Sequence, residues 1–301
     1  MNTVTHLHTP SSACTCSQHS RRLFSGLLAA GGVAALLPAL AQDAGVQGDV
    51  GRASRAAKLV PAEQLEAAAT QQYQQMLREA ASQRALAGPN HPQVQRLRYI
   101  AERIIPYAEP WNGRARQWRW EVNLLGSQQV NAFCMPGGKI AFFVGILQKL
   151  QLSDDEVATI MGHEMAHALR EHARERVGKN VMTRGAIEIG AAIFGLGGLG
   201  RTVADMGGQL LSLRFGREDE SEADIVGMDL AARAGYDPAA GITLWQKMLQ
   251  ANRGAPPEFM SSHPAGDTRI RDIQAKLPKV QPLYRRAARP DRNFGPPTGS
   301  G

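Results

Sequence analysis

The sequence predicts an α+β protein that is mainly helical and carries a small antiparallel sheet. Three observations lead there. Of 301 residues, 43% are hydrophobic and 20% charged, a globular balance that excludes disorder, collagen and coiled coil as descriptions of the whole chain. Helix-period stretches fill the chain from Pro61 to Tyr107 and again from Val144 onward. Between them lie three short strand-like stretches, two of them around a Gly-Gly turn.

The elements follow in order. Residues 1–41 hold no acid, the pair Arg21-Arg22, an apolar run from Leu23 to Leu40 and the small residues Ala39-Leu-Ala41. This is the three-part layout of a twin-arginine-type signal peptide, so the expected location is periplasmic, with an N-terminal inner-membrane anchor as the alternative. Cleavage after Ala41 leaves 301 − 41 = 260 residues and lowers the net charge from +7 to +5. It also leaves one cysteine, Cys134, and five histidines: His91, His163, His167, His172 and His263. Residues 42–60 read as a linker. Pro61 opens a helix through Leu86, and Gly88–Pro92 breaks it with His91 as a solvated loop residue. A second helix spans Gln93 to Tyr107, with Val94, Leu97, Ile100, Ala101 and Ile104 on one face. Trp118–Leu125 alternates as a strand, and Val130–Cys134 and Lys139–Phe143 form a hairpin across Met135-Pro-Gly-Gly138. The apolar stretch Ala186–Leu199 contains Glu188 and is too short and Gly-broken to span a membrane; it reads as a buried helix, or as a surface touching one. Pro278 and Pro282 end the fold, and 281–301 reads as a flexible basic tail.

The chemistry concentrates in Gln151–His167. Ser153 with Glu156 three residues on is a capping box that starts a helix. His163 and His167, four apart, point the same way on that helix, so two neutral imidazoles can hold a zinc ion. Glu164 reaches a metal-bound water rather than the metal. His172 lies about 140° further round a continuous helix and reads as a solvated or capping histidine. A third donor is sought in Glu218–Asp224, where Glu220 shares a face with Asp224 and Glu218 with Glu222. Spacing alone does not choose between the pairs; one pair supplies a ligand and a carboxylate that orients a histidine.

Five segments then carry a resemblance: Asn131-Ala-Phe-Cys-Met-Pro-Gly-Gly138, His163-Glu-Met-Ala-His167, Glu220-Ser-Glu-Ala-Asp224, Ala234-Gly-Tyr-Asp-Pro238 and Ser262-His-Pro264. In order and content the chain resembles the zinc metallopeptidase family of CAAX prenyl endopeptidases, HtpX heat-shock proteases and soluble periplasmic proteases. The resemblance covers about residues 61–280 and implies a zincin-like (gluzincin) metallopeptidase domain there. It implies one Zn2+ per chain held by His163, His167 and Glu220, with Asp224 behind them. It also implies zinc-dependent endopeptidase activity, with Glu164 taking the proton of the attacking water. Asn131, Ala132 and Phe133 are the expected edge strand for an extended polypeptide substrate. His263 is a substrate-side donor, a latent ligand that swings onto the zinc, or a loop histidine with a packing role. Tyr236, His263 and Arg269 are the candidates for oxyanion stabilisation. Cys134 reads as a small buried hydrophobe. With an exported chain, the expected substrates are misfolded or unassembled envelope proteins, and the expected contacts include the membrane surface or envelope assembly machinery. The alternative is a non-cleaving, chaperone-like binder on the same scaffold; a binder has no need of Glu164. A nucleic-acid partner is not expected, because +5 on 260 residues shows no aromatic-interleaved basic stripe.

Overall fold

The computed structural model describes residues 45–51, 54–184, 214–251, 258–263 and 267–297. The leader and the apolar stretch 186–199 lie outside the described residues. Among the described residues no helix is long and apolar enough to cross a membrane.

Helices α1 (Ala62–Ser82) and α2 (Pro92–Ile104) flank a three-stranded sheet. Pro61 caps α1 from outside its first turn, with ψ 127°. The helix ends four residues before Leu86, because Arg84 turns left-handed at φ 56°. His91 is exposed as expected, and it also caps α2: its Nδ1 accepts from the Gln93 N–H at 3.1 Å. The five apolar residues expected on one face of α2 are all buried. Each large one contributes roughly 1.5–3 kcal/mol of transfer free energy, which outweighs the modest helix propensity of the β-branched residues among them.

Strands β1 (Glu121–Leu125), β2 (Ala132–Met135) and β3 (Lys139–Phe143) run in the order β1-β3-β2. The hairpin is as predicted: β2 and β3 are antiparallel, with Cys134 opposite Ile140. Its turn places Pro136 and Gly137 (φ 84°) in the centre and closes with the Gly138 N–H on the Met135 carbonyl at 3.2 Å. Proline followed by a positive-φ glycine is the type II combination. The sheet is mixed rather than antiparallel, since β1 pairs parallel to β3. The chain from 126 to 131 carries β2 past β3 to the far edge, so the strand nearest in sequence is not the neighbour of β1. Leu86 bridges to Leu125 and partly covers the outer edge of β1. Among the described residues β2 pairs with β3 alone.

Beyond the sheet come α3 (Val144–Lys149), α4 (Asp154–Leu169), α5 (His172–Arg184), α6 (Arg217–Arg233), α7 (Ala240–Ala251), α8 (Glu258–Ser262) and α9 (Asp267–Arg286). Helices α4 and α6 cross backbone to backbone at Gly162 and Gly227. A Cβ on Gly162 would lie 2.6 Å from the Gly227 carbonyl oxygen, so only glycine fits there.

Three expectations at the chain's ends are corrected. Helix α9 continues through Pro278 and Pro282 instead of stopping. An interior proline costs about 3 kcal/mol, but Val280 and Leu283 beyond it are buried, and their burial offsets much of that. Residues 287–297 are held as well: the Phe294 N–H donates to Asp154 Oδ2 at 2.7 Å, and Arg289 stacks on Tyr284. The 42–60 stretch is packed where described. Val46 is buried with its N–H on Asp229 Oδ2 at 3.2 Å, and Val60 is fully buried. Short segments pair with specific buried groups here, which composition does not reveal.

Candidate metal centre

Helix α4 begins as its sequence says. Ser153 Oγ accepts from the Glu156 N–H at 3.3 Å, and Glu156 Oε2 accepts from the Ser153 N–H at 2.8 Å. Its C-terminal half is enclosed all round, so His163, Glu164 and His167 are each at most 3% exposed. Polar groups buried to that degree need partners. The two histidines find them on α6, whose Gly216 N–H donates to Asp219 at 2.8 Å and so starts the helix that carries Glu220.

His163 Nε2 lies 3.1 Å from His167 Nε2 and 3.6 Å from Glu220 Oε2, and His167 Nε2 lies 3.5 Å from Glu220 Oε1. Four-coordinate zinc with bonds near 2.0–2.1 Å wants donor atoms about 3.3 Å apart. The three separations bracket that value, and two imidazoles with one carboxylate is a zinc donor set. His263 brings a fourth atom: its Nδ1 is 3.3 Å from His163 Nε2 and 2.9 Å from Glu220 Oε1. Together the four residues offer ligand atoms within 4.8 Å of one another. Glu164 Oε1 is buried without a hydrogen-bond partner among the described residues, and it lies 3.6 Å from His263 Nε2. An orphaned carboxylate oxygen beside a donor triangle fits a site built around a cation and a water.

Behind the triangle stands a second layer. His163 Nδ1 bonds Asp224 Oδ1 at 3.1 Å. Arg269, from α9, donates Nε and Nη2 to Asp224, both at 2.6 Å, and sets Nη1 2.7 Å from Glu220 Oε2. Its guanidinium lies 3.7 Å from the Trp245 ring centre. With its nitrogens turned to the two carboxylates, Arg269 positions Glu220 and Asp224 and is not placed as an oxyanion donor. Tyr236 is buried, with the Arg103 guanidinium 6.0 Å from its ring centre. Glu218 is exposed, so the pair that faces the triangle is Glu220 with Asp224.

His172 departs from the sequence reading. It is 2% exposed, with Nδ1 2.9 Å from His167 Nδ1 and Nε2 3.5 Å from Glu222 Oε2. Helix α4 stops at Leu169 and Glu171 turns left-handed (φ 59°), so α5 starts in a new direction and the rotation of a continuous helix does not apply. No motif announces that left-handed residue. Sequence reasoning also missed the aromatic lids: Phe215 stacks on His167 with ring centres 4.0 Å apart, and Phe259 on His263 at 4.6 Å.

The electrostatics follow the packing. Burial raises the Glu164 carboxyl above its ordinary range, opposed in part by His263 and His163. Burial, then the neighbouring His163, His263 and His172, push the His167 imidazole well down, so it is neutral and free to ligate. Burial works against charge on Asp224, but Arg269 and the bond to His163 outweigh it and hold the carboxyl at about 2. Glu220 is lowered in the same way, burial being overcome by His263, His163 and Arg269. Burial disfavours charge on His263 too, yet Glu164 and Glu220 raise it overall.

A cleft of about 220 Å³ opens onto the cluster. Asn131, Ala132 and Phe133 line it together with Glu164, His167 and His263. Cys134, buried, closes part of its floor. The expected substrate strand and the candidate metal centre therefore share one cavity.

The family model "Peptidase family M48" matches residues 91–277. The chain is 39% identical over 150 residues to "Mitochondrial metalloendopeptidase OMA1" of Arabidopsis thaliana, covering 50% of this chain and 30% of that protein. It is 27% identical over 206 residues to "Metalloprotease LoiP" of Escherichia coli K12, covering 67% and 78%. Against the "Beta-barrel assembly-enhancing protease" of Escherichia coli O157:H7 it is 25% identical over 170 residues, covering 53% and 35%. The chain thus spans about a third of the length of the first and third of these relatives.

Proposed function

The chain belongs to peptidase family M48, and from that premise we propose that it is a zinc-dependent endopeptidase. One observation carries the reading: a buried His163–His167–Glu220 triangle with separations of 3.1, 3.5 and 3.6 Å, beside Glu164, whose Oε1 is buried without a hydrogen-bond partner among the described residues. His163, His167 and Glu220 would hold one Zn2+. When bound, the ion supplies Lewis acidity, which brings the pKa of water toward about 7 and stabilises negative charge on a carbonyl oxygen.

The protein's own residues do the rest. Asp224 fixes the ring of His163 through Nδ1 and is itself fixed by Arg269. Glu164, with its carboxyl raised by burial, suits a base working near neutral pH. It takes a proton from water at Oε1 as the water oxygen bonds to the scissile carbonyl carbon. It returns that proton to the leaving amine as the C–N bond breaks. The open edge of β2 offers main-chain groups to an extended polypeptide, which favours affinity with weak sequence preference. His263 Nδ1 stands at the corner where water or substrate is needed, 2.9 Å from Glu220. His263 is therefore read as a group that turns away when the site is used.

The leader sequence supports a periplasmic location, where misfolded or unassembled envelope proteins would be the substrates. One relative's name speaks of β-barrel assembly, and this supports contact with envelope assembly machinery. The test is casein cleavage by the purified chain: chelation stops it, zinc restores it, and Glu164→Gln abolishes it while one zinc per chain stays bound. Zinc-loaded wild type that binds unfolded casein without cutting it would overturn the reading in favour of a chaperone-like binder.

A further inference from the structure

We propose that His172 is a positioning residue for His167, the second member of a relay that runs His167–His172–Glu222–Arg170. The inference rests on the zinc-site reading above and extends it to a residue outside the triangle.

Proton directions decide the case. If His167 Nε2 turns its lone pair to a cation, the ring proton is on Nδ1. That Nδ1 is buried and 2.9 Å from His172 Nδ1, so His172 must accept there and carry its own proton on Nε2. Nε2 faces Glu222 Oε2 at 3.5 Å. Glu222 Oε1 accepts from Arg170 Nε, and Arg170 Nη2 donates to the Gly51 carbonyl. Every step then has one donor and one acceptor. The reverse tautomer of His172 would set two N–H groups against each other at 2.9 Å. His163 is oriented by a carboxylate directly, through Asp224 at 3.1 Å, whereas His167 reaches its carboxylate through a second imidazole. Glu222, ion-paired with Arg170, is the acidic end of the relay. Groups that fix a ligand histidine typically matter about 10- to 100-fold in metal affinity.

The experiment measures zinc affinity of the full chain by competition with a chromophoric chelator, together with melting temperature in the zinc-free state. His172→Ala should weaken zinc binding about 10- to 100-fold. His172→Asn, whose carbonyl lies where Nδ1 was, should restore most of it. His172→Gln, whose carbonyl lies at the Nε2 position, should not. His172→Ala with wild-type affinity overturns the proposal. So does a lower zinc-free melting temperature with unchanged affinity, which is what a merely structural histidine would give. Should His172→Ala fail to fold, the Asn and Gln variants carry the test, and equal affinities overturn it. A wild type that takes up no zinc would sink the parent reading and this one with it, whereas normal wild-type zinc with indifferent variants sinks this one alone.

Discussion

Gly227→Ala is the sharpest perturbation of the geometry. The new methyl would stand 2.6 Å from the His163 nitrogen, 2.7 Å from the Gly162 carbonyl carbon and 2.9 Å from the His163 Cα. All three are backbone atoms and cannot swing aside. Restoring an ordinary carbon contact requires α4 and α6 to part by roughly 1 Å. Overpacking of this kind costs about 1–3 kcal/mol. The same shift acts on the site, because Asp224 lies one turn and Glu220 two turns from Gly227 on α6. Parting the helices would stretch the 3.5 and 3.6 Å separations to Glu220 beyond what one small cation can bridge. Zinc affinity should fall at least tenfold, and peptide turnover by about 100-fold for a misplacement of about 1 Å. Denaturant unfolding of the zinc-free protein reads the first effect, and chelator competition reads the second. Gly88→Ala is the control, since a Cβ there meets nothing within 4 Å. Gly227→Ala with control-like stability and zinc affinity would refute the claim that the helix crossing sets the site.

The other predictions are simpler. Glu164→Gln should lower casein cleavage by about 10²- to 10⁴-fold, the worth of a general base, with one zinc per chain retained; metal analysis showing equal loss of zinc would make Glu164 structural. His263→Ala should keep zinc and change turnover. A rise marks a histidine that blocks the fourth corner, a fall marks a substrate-side donor, and no change removes it from the site. The zinc-free protein should lose stability as pH falls from about 4 toward 2. The Asp224 carboxyl sits at about 2, below its unfolded value of 3.8, so its contribution is present above 3.8 and is lost as the folded group protonates. That difference is worth about 2 kcal/mol at neutral pH, and Asp224→Asn should show none of this slope in acid titration.

Much of the site was legible because helical spacing is rigid. His163, Glu164 and His167 are fixed relative to one another by one helix, and Ser153 with Glu156 marks where it starts. The choice of Glu220 was different. Spacing left Glu218 and Glu222 open, and only the direction of α6 across α4 buries Glu220 and exposes Glu218. His172 was misread because a helical wheel assumes a continuous helix, and a single left-handed Glu171 cancels it. The parallel pairing of β1 with β3 was illegible for a related reason: alternation tells which side chains are buried, not which strand lies alongside. The prolines of α9 show the opposite failure, where a local rule is correct in cost yet offset in large part by Val280 and Leu283 in the core.

The short stretch 45–51 has a mechanical consequence. It is fastened to α6 through Val46 and Asp229, to α9 through Asp49 with Lys276 and Lys279, and to Arg170 through the Gly51 carbonyl. Each fastening lands on an element that carries or braces a ligand. Tension on the chain ahead of residue 45 would be delivered to those clasps before it reached any loop. A tether at that end would therefore pull first on α6 and α9, the helices that carry Glu220 and Arg269.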